Sequence, residues 1–149
     1  MSGEPAHAEG YRHVACCCES EGVSERAVQE AVRVARLSGA RLSFVHVVPS
    51  PGRFTGGRSA WSPPDEVLAQ ELLEDARRWL EPIAAGHDGD AVVIAGDDLP
   101  LRLVEWARET ACDLIVACPH TRGILGVVLG SFTTGLIHDS PCPVMLVPA

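Results

Sequence analysis

Five short apolar segments alternate with four longer segments of helical pattern, and this alternation constrains the fold more than any other feature of the chain. The apolar segments cover residues 11–18, 41–48, 91–95, 113–118 and 143–147. Continuous apolar runs are typical of strands that are buried on both faces of a parallel sheet. A repeated strand–helix order that ends on a strand requires right-handed crossovers between parallel strands. We therefore predict a single doubly wound α/β domain.

The segments between the predicted strands carry helix signals. Ser24 is suited to cap the first helix, Gly39 to end it, and Pro100 fits the first turn of the third helix. The second helix is expected over residues 65–81, with Pro82 disturbing its end. The side chains expected on the buried helix faces are Ala27, Ala31, Val34, Ala35, Ser38, Leu68, Leu72, Ala76, Trp79, Leu80, Ile83, Leu103, Val104 and Ala107.

The charged residues exclude several classes of function. The formal net charge is −8, and all 12 cationic residues are arginines. An acidic chain without a basic stripe argues against nucleic acid or an anionic membrane as the main partner. The absence of lysine excludes a Walker P-loop, a Schiff-base lysine and a Ser–Lys dyad.

Residues 1–10 are polar and are predicted to be a loose tail in front of a domain that covers residues 11–149. The chain has no apolar run of membrane-spanning length, and its start lacks the pattern of a secretory signal. We therefore expect a cytosolic protein with mostly reduced thiols.

The six cysteines allow two interpretations. They are Cys16, Cys17, Cys18, Cys112, Cys118 and Cys142. Cys18 and Cys118 are expected at the carboxyl ends of neighbouring strands, which makes them the pair best placed for metal or disulfide chemistry. The favoured interpretation is that the cysteines are small apolar core residues, and no metal site is predicted.

The segment 117–131, written A-C-P-H-T-R-G-I-L-G-V-V-L-G-S, is the candidate ligand site. It connects the end of the fourth strand to a helix predicted over residues 131–139, and ligands of open α/β sheets bind beyond the carboxyl ends of the strands. Gly130 and Ser131 could present backbone N–H groups to an anion. Ser131 could equally be a plain helix cap, and His120 could contact a phosphate or simply face solvent.

Four stretches resemble the universal stress protein family in their order and spacing. They are V-A-C-C-C-E-S-E-G-V-S-E-R-A at the first strand, F-V-H-V-V-P at the second, G-D-D-L-P-L-R-L-V-E-W-A-R-E-T-A-C-D-L-I-V, and L-G-S followed ten residues later by P-C-P-V-M-L-V-P. The resemblance implies a Rossmann-like five-stranded parallel sheet of order 3-2-1-4-5 and a homodimer. It also implies that the protein could bind ATP or another adenine nucleotide, as some members of that family do.

The family's nucleotide motif, Gly-x2-Gly-x9-Gly-Ser/Thr, is only partly present. Gly130 and Ser131 match it, whereas Ala117 and His120 stand where the first two glycines are expected. A side chain at such a position occupies space that the backbone needs to approach a phosphate. Pro119 also removes one N–H donor. Nearby Gly123 and Gly126 keep the segment pliable and Arg122 offers a positive charge, so a rearranged anion site is an alternative.

The resemblance places Glu19 where the family has an aspartate that contacts adenine, and Val47 at another adenine contact. The complete set of residues expected around a nucleotide is Cys17, Cys18, Glu19, Val47, Val116, Ala117, Pro119, His120, Gly130, Ser131, Phe132 and Thr133. No catalytic residue is predicted, because no nucleophile and base can be identified. The alternative function is a dimeric stress or interaction protein that does not bind nucleotides.

Two further segments bear on function. The loop over residues 49–64 carries Arg53, Phe54, Arg58 and Trp61, which could cover phosphates and a base or could belong to a surface loop. Residues 144–147 form the edge strand in the implied order. An apolar edge needs covering, so we expect a homodimer through this strand; the alternative is a monomer whose own loops cover the edge.

Overall fold

The computed structural model describes residues 10–19, 24–50, 65–119 and 131–148. Its strands form one parallel sheet of order β3-β2-β1-β4-β5, which confirms the predicted fold class and strand order. The strands are β1 His13–Cys17, β2 Arg41–Pro49, β3 Asp90–Gly96, β4 Leu114–Ala117 and β5 Val144–Leu146. The helices are α1 Glu25–Ser38, α2 Asp65–Gly86, α3 Leu99–Glu109 and α4 Ser131–Asp139.

The pleat of the sheet divides the core into two layers. Val14 and Cys16 point to the layer formed with α1 and α2, whereas Ala15 between them points to the layer formed with α3 and α4. This separation follows from the two-residue repeat of a strand. Both faces of the central strands are therefore covered, which explains their continuous apolar sequence.

The predicted helix signals are confirmed at three ends. The hydroxyl of Ser24 accepts a hydrogen bond of 3.2 Å from the Ala27 N–H, and Gly39 ends α1 with φ 66°. Pro100 lies in the first turn of α3 as predicted, and the structure adds a cap at Asp98, whose carboxylate accepts a hydrogen bond of 3.1 Å from the Leu101 N–H. These caps provide partners for N–H groups that have none inside the helix.

The predicted end of the second helix is wrong. The helix continues through Pro82 to Gly86, and Pro82 is exposed inside it. Leu80 and Ala84, on either side of Pro82, are both buried against the sheet. Burial of this stripe outweighs the loss of one backbone hydrogen bond, because helix stability in proteins comes mainly from tertiary packing.

The buried helix faces also differ from the prediction. Val28 and Val32, which the prediction left out, are buried in α1, whereas Val34 and Ser38 are only partly buried. In α3, Leu103, Val104 and Ala107 are buried as predicted, and the structure adds Trp106. The strands begin or end one or two residues from their predicted limits.

Parts of the prediction fall outside the described residues. Among these are the tail over residues 1–9 and the loop residues Arg53, Phe54, Arg58 and Trp61. In the described part of the chain, each helix is too short or too polar to cross a membrane.

Candidate functional site

A cavity of about 290 Å³ opens at the carboxyl end of the sheet, beyond β1 and β2. In this sheet the strand order reverses between β1 and β4, and ligands of open α/β sheets usually bind beyond the carboxyl ends of the strands at such a point. The cavity lies beside that point, because its described lining comes from the ends of β1 and β2 and from α3 and α4 and includes no residue of β4. The described residues that line the cavity are Cys17, Cys18, Glu19, Val45, His46, Val47, Pro49, Leu99, Leu103 and Phe132.

Backbone and side-chain hydrogen bonds join the ends of β1 and β2 at the rim of the cavity. The N–H of Cys18 donates to the carbonyl oxygen of Val45 at 2.9 Å. The Nδ1 atom of His46 lies 2.8 Å from the carbonyl oxygen of Cys18. A carbonyl only accepts, so Nδ1 carries the proton and donates this bond. The imidazole also packs edge-on against Trp79 of α2, with ring centroids 4.9 Å apart, which holds the ring in place.

The opposite wall of the cavity comes from the first turns of α3 and α4. Leu103 is fully buried in α3, and Phe132 follows the first residue of α4. The two helices approach closely at Gly135, where an added Cβ atom would lie 2.9 Å from the Pro100 side chain. The small residue at this position lets α4 pack against α3 and so places Phe132 at the cavity.

The lining of the cavity is mostly apolar with a few polar groups. Glu19 supplies a carboxylate among its described residues, whereas the imidazole of His46 packs against Trp79 in the layer formed with α1 and α2. Burial raises the pKa of the Cys17 thiol, and the neighbouring Cys18 adds to this effect. Cys17 is therefore a neutral thiol at physiological pH. Apolar walls with a few polar groups, at the small end of the usual pocket size, suit a flat heterocycle better than an extended ligand.

The structure brings together part of the predicted site. Cys17, Cys18, Glu19, Val47 and Phe132 line the cavity. Val116, Ala117, Pro119 and Thr133 are buried near the end of β4 and the start of α4, outside this lining. His120 and Gly130 lie outside the described residues, and Ser131 is described only as the first residue of α4.

The cavity also includes residues that the sequence prediction missed, namely Val45, His46, Pro49, Leu99 and Leu103. His46 directly precedes Val47, so the predicted base contact was itself a signal for it. Leu99 and Leu103 belong to α3, which follows the third strand. Their position depends on how α3 crosses to the other side of the sheet, and local sequence patterns do not report that.

Cys18 and Cys118 lie where the sequence predicted them, just beyond the ends of the neighbouring strands β1 and β4. Cys16 is the register partner of Val116, so Cys18 and Cys118 follow neighbouring strands at the same level. All six cysteines are free thiols. In the described ranges, acidic, histidine and cysteine side chains form no cluster suited to a metal ion.

The parallel sheet of order β3-β2-β1-β4-β5 places the protein among the doubly wound α/β proteins. The model of the universal stress protein family matches residues 10–148, and the chain belongs to this family.

Individual relatives agree with this assignment. The chain is 29% identical over 133 residues to a universal stress protein of Mycobacterium tuberculosis strain H37Rv, covering 85% of this chain and 44% of that protein. The chain therefore spans less than half the length of that relative. The structure of a family member from Burkholderia pseudomallei has a TM-score of 0.71 and 24% identity, covering 93% of this chain and 97% of that one.

A second solved structure has a named ligand. The universal stress protein of Archaeoglobus fulgidus, in complex with dAMP, has a TM-score of 0.57 and 23% identity. The match covers 91% of this chain and 97% of that chain.

Proposed function

We propose that this protein binds an adenine nucleotide in the cavity beyond β1 and β2 and acts in a stress response. The observation that carries the proposal is that Glu19, Val47 and Phe132, which were predicted to lie at one nucleotide site, line one cavity. The family assignment supports it, as does the dAMP complex of the Archaeoglobus fulgidus relative.

The chemistry of the lining suggests how the nucleotide lies. The base packs against the apolar side chains of Val47, Leu103 and Phe132. The carboxylate of Glu19 accepts a hydrogen bond from the exocyclic amino group or a ribose hydroxyl. The phosphate extends toward the start of α4 at Ser131, since a helix start favours negative charge.

A second candidate function is a stress or interaction protein that does not bind nucleotides. Ala117 favours it, because this residue stands where the nucleotide motif has a glycine and its side chain is 3% exposed at the end of β4. His120 replaces the second glycine in the same motif. Both changes reduce the backbone surface that a phosphate could approach.

Thermal unfolding in the presence of AMP, dAMP or ATP distinguishes the two functions. A ligand that binds only the folded state stabilises it by RT ln(1 + [L]/Kd), so the melting temperature rises with the logarithm of the ligand concentration. We expect millimolar AMP to raise the melting temperature of the native protein and GMP to raise it less. Glu19→Gln should reduce the AMP shift. If the folded protein shows no shift with any adenine nucleotide, the nucleotide-binding function is wrong and the second function is favoured.

We also propose a cytoplasmic homodimer. Strand β5 lies at the edge of the sheet, and its residues Val144, Met145 and Leu146 are only partly buried in the single chain. Pairing with the same strand of a second copy would cover this edge in a symmetric interface.

A further inference from the structure

The end of β1 sets the point from which Glu19 reaches the cavity. The register of β1 and β2 runs to the pair Cys17 and Val45, and one further backbone bond follows, from the Cys18 N–H to the carbonyl oxygen of Val45 at 2.9 Å. Glu19 comes next in the chain and lines the cavity. The position of its carboxylate therefore depends on what holds the peptide group between Cys18 and Glu19.

That peptide group is held by a side chain of the neighbouring strand. The Nδ1 atom of His46 donates to the carbonyl oxygen of Cys18 at 2.8 Å. A peptide group is planar, so its carbonyl oxygen, the next N–H and the next Cα atom lie in one plane. A bond that fixes the Cys18 oxygen therefore also fixes the direction of the Glu19 N–H and the position of the Glu19 Cα atom.

The imidazole acts from the face of β2 that is turned away from α3 and α4. Successive side chains of a strand point to opposite faces, and Val45 and Val47 pack in the layer formed with α3 and α4. His46 lies between them and packs in the other layer, edge-on against Trp79 with an angle of 69° between the ring planes. The side chain therefore reaches Glu19 through the backbone of β1, and it acts on a ligand through Glu19.

The hydrogen bond requires one particular form of His46. A carbonyl oxygen only accepts, so the proton of the neutral imidazole is on Nδ1 and Nε2 has none. In asparagine the amide nitrogen is attached to Cγ, as Nδ1 is in histidine, so asparagine can donate from about the same place. Leucine fills a similar space without a donor. His46→Asn and His46→Leu therefore keep and remove the donor, respectively.

We propose that His46 is a positioning residue of the nucleotide site, which holds the peptide group between Cys18 and Glu19 so that the Glu19 carboxylate meets the base or the ribose. Its effect on affinity rests on the proposed function. Without the donor, the peptide group gains freedom that the ligand must remove, and ordering a group on binding costs affinity. The apolar walls of the cavity stay in place, so the loss of affinity is partial.

Calorimetric titration with AMP measures this loss. We expect the Kd to rise about tenfold in His46→Leu and to stay within about threefold of the native value in His46→Asn. Ser43→Ala is the control, because Ser43 is fully buried near the amino end of β2 and its loss lowers stability away from the cavity. This control should keep the native Kd. Circular dichroism establishes that each variant is folded under the conditions of the titration.

A double-mutant cycle tests whether His46 acts through Glu19. Glu19→Ala alone should weaken AMP binding, and His46→Leu added to it should weaken binding further by less than about twofold. Two residues that act independently would instead multiply their effects, which amounts to roughly another tenfold. The cycle separates a positioning role from a direct effect of His46 on the ligand.

Nuclear magnetic resonance of the nitrogen-15-labelled protein tests the hydrogen bond without a ligand. At a pH where the imidazole is neutral, long-range proton–nitrogen spectra should show the His46 proton on Nδ1. The Glu19 amide belongs to the peptide group whose oxygen accepts the bond, so its nitrogen resonance should shift in His46→Leu and return toward the native position in His46→Asn. These spectra decide whether His46 fixes the peptide group even if the native protein does not bind AMP, a result that would refute the nucleotide function and the effect on affinity with it.

Four results would overturn the proposal. One is a native Kd in His46→Leu. Another is a rise in Kd in Ser43→Ala equal to that in His46→Leu, which would trace both effects to lost stability. The third is a multiplied effect in the double-mutant cycle. The fourth is a neutral His46 imidazole with its proton on Nε2.

Discussion

The Nδ1 atom of His46 donates a hydrogen bond of 2.8 Å to the carbonyl oxygen of Cys18, and this bond joins the end of β2 to the end of β1. Trp79 of α2 packs edge-on against the same imidazole. One side chain thus connects two strands and a helix at the rim of the cavity. The rim of the cavity is therefore held in place by side-chain packing as well as by the backbone hydrogen bonds between the strands.

Replacing His46 tests this connection. His46→Leu keeps apolar contact with Trp79 but removes the donor to Cys18, so we expect a loss of about 1–2 kcal/mol in the free energy of unfolding. Urea denaturation monitored by circular dichroism measures the loss. His138→Leu, the same change on the exposed face of α4, is the control and should alter stability by less than about 0.5 kcal/mol. Equal effects of the two substitutions would show that the bond does not stabilise the fold.

Filling the cavity should block a ligand without damaging the core. Val47 lines the cavity and is partly exposed, so Val47→Phe can extend its ring into that space. We expect the AMP-dependent rise in melting temperature to disappear, while the stability without ligand changes by less than about 1.5 kcal/mol. Val67→Phe on the exposed surface of α2 is the matched control and should keep the full shift. An unchanged AMP shift in Val47→Phe would place the nucleotide elsewhere.

A buried histidine at the other end of the sheet depends on one serine. His13 Nδ1 lies 3.2 Å from the carbonyl oxygen of Thr110, and Nε2 lies 2.8 Å from the hydroxyl of Ser43. Ser43 is fully buried. Ser43→Ala leaves Nε2 without this partner, so we expect a loss of about 1–3 kcal/mol.

Chemical denaturation measures the effect of Ser43→Ala, with Ser38→Ala at the partly exposed end of α1 as the control. The control should change stability by less than about 0.5 kcal/mol. A similarly small change in Ser43→Ala would mean that the histidine finds another partner at no cost.

The ionisation of Cys142 should make stability depend on pH. Its pKa is lowered from 9.0 to about 7 in the folded protein, so the folded state favours the thiolate. This contribution is fully present above about pH 9 and is lost as the pH falls through 7. In the presence of a phosphine reductant, the stability difference between the native protein and Cys142→Ser should grow from pH 6 to pH 8.5. A difference that is constant over this range contradicts the shift.

The edge strand predicts the oligomeric state. We expect a sedimentation mass near twice that of the chain, and Leu146→Lys at the β5 edge should reduce it by introducing charge at the interface. Leu101→Lys, on an exposed part of α3, is the control and should leave the mass unchanged. Circular dichroism establishes that both variants are folded. A monomeric native protein would disprove the dimer.

The sequence alone determined the order of the elements, the parallel sheet and several helix ends. These features depend on local chemistry: buried strands need continuous apolar runs, and the first N–H groups of a helix need partners such as the Ser24 hydroxyl. The family resemblance led to the prediction that Glu19 and Val47 contact the nucleotide, and both residues line the cavity. Pro82 misled the prediction because a local helix breaker was outweighed by burial of Leu80 and Ala84.

Only the tertiary structure decided which side chains meet. His46 contacts Cys18 across two strands, and Leu103 and Phe132 reach the cavity from separate helices. Crossover connections bring these residues together from distant parts of the chain, so their proximity is set by strand order and helix packing. Patterns within a single strand or helix carry no information about such contacts, which is why the sequence could place the end of the sheet but not the full lining of the site.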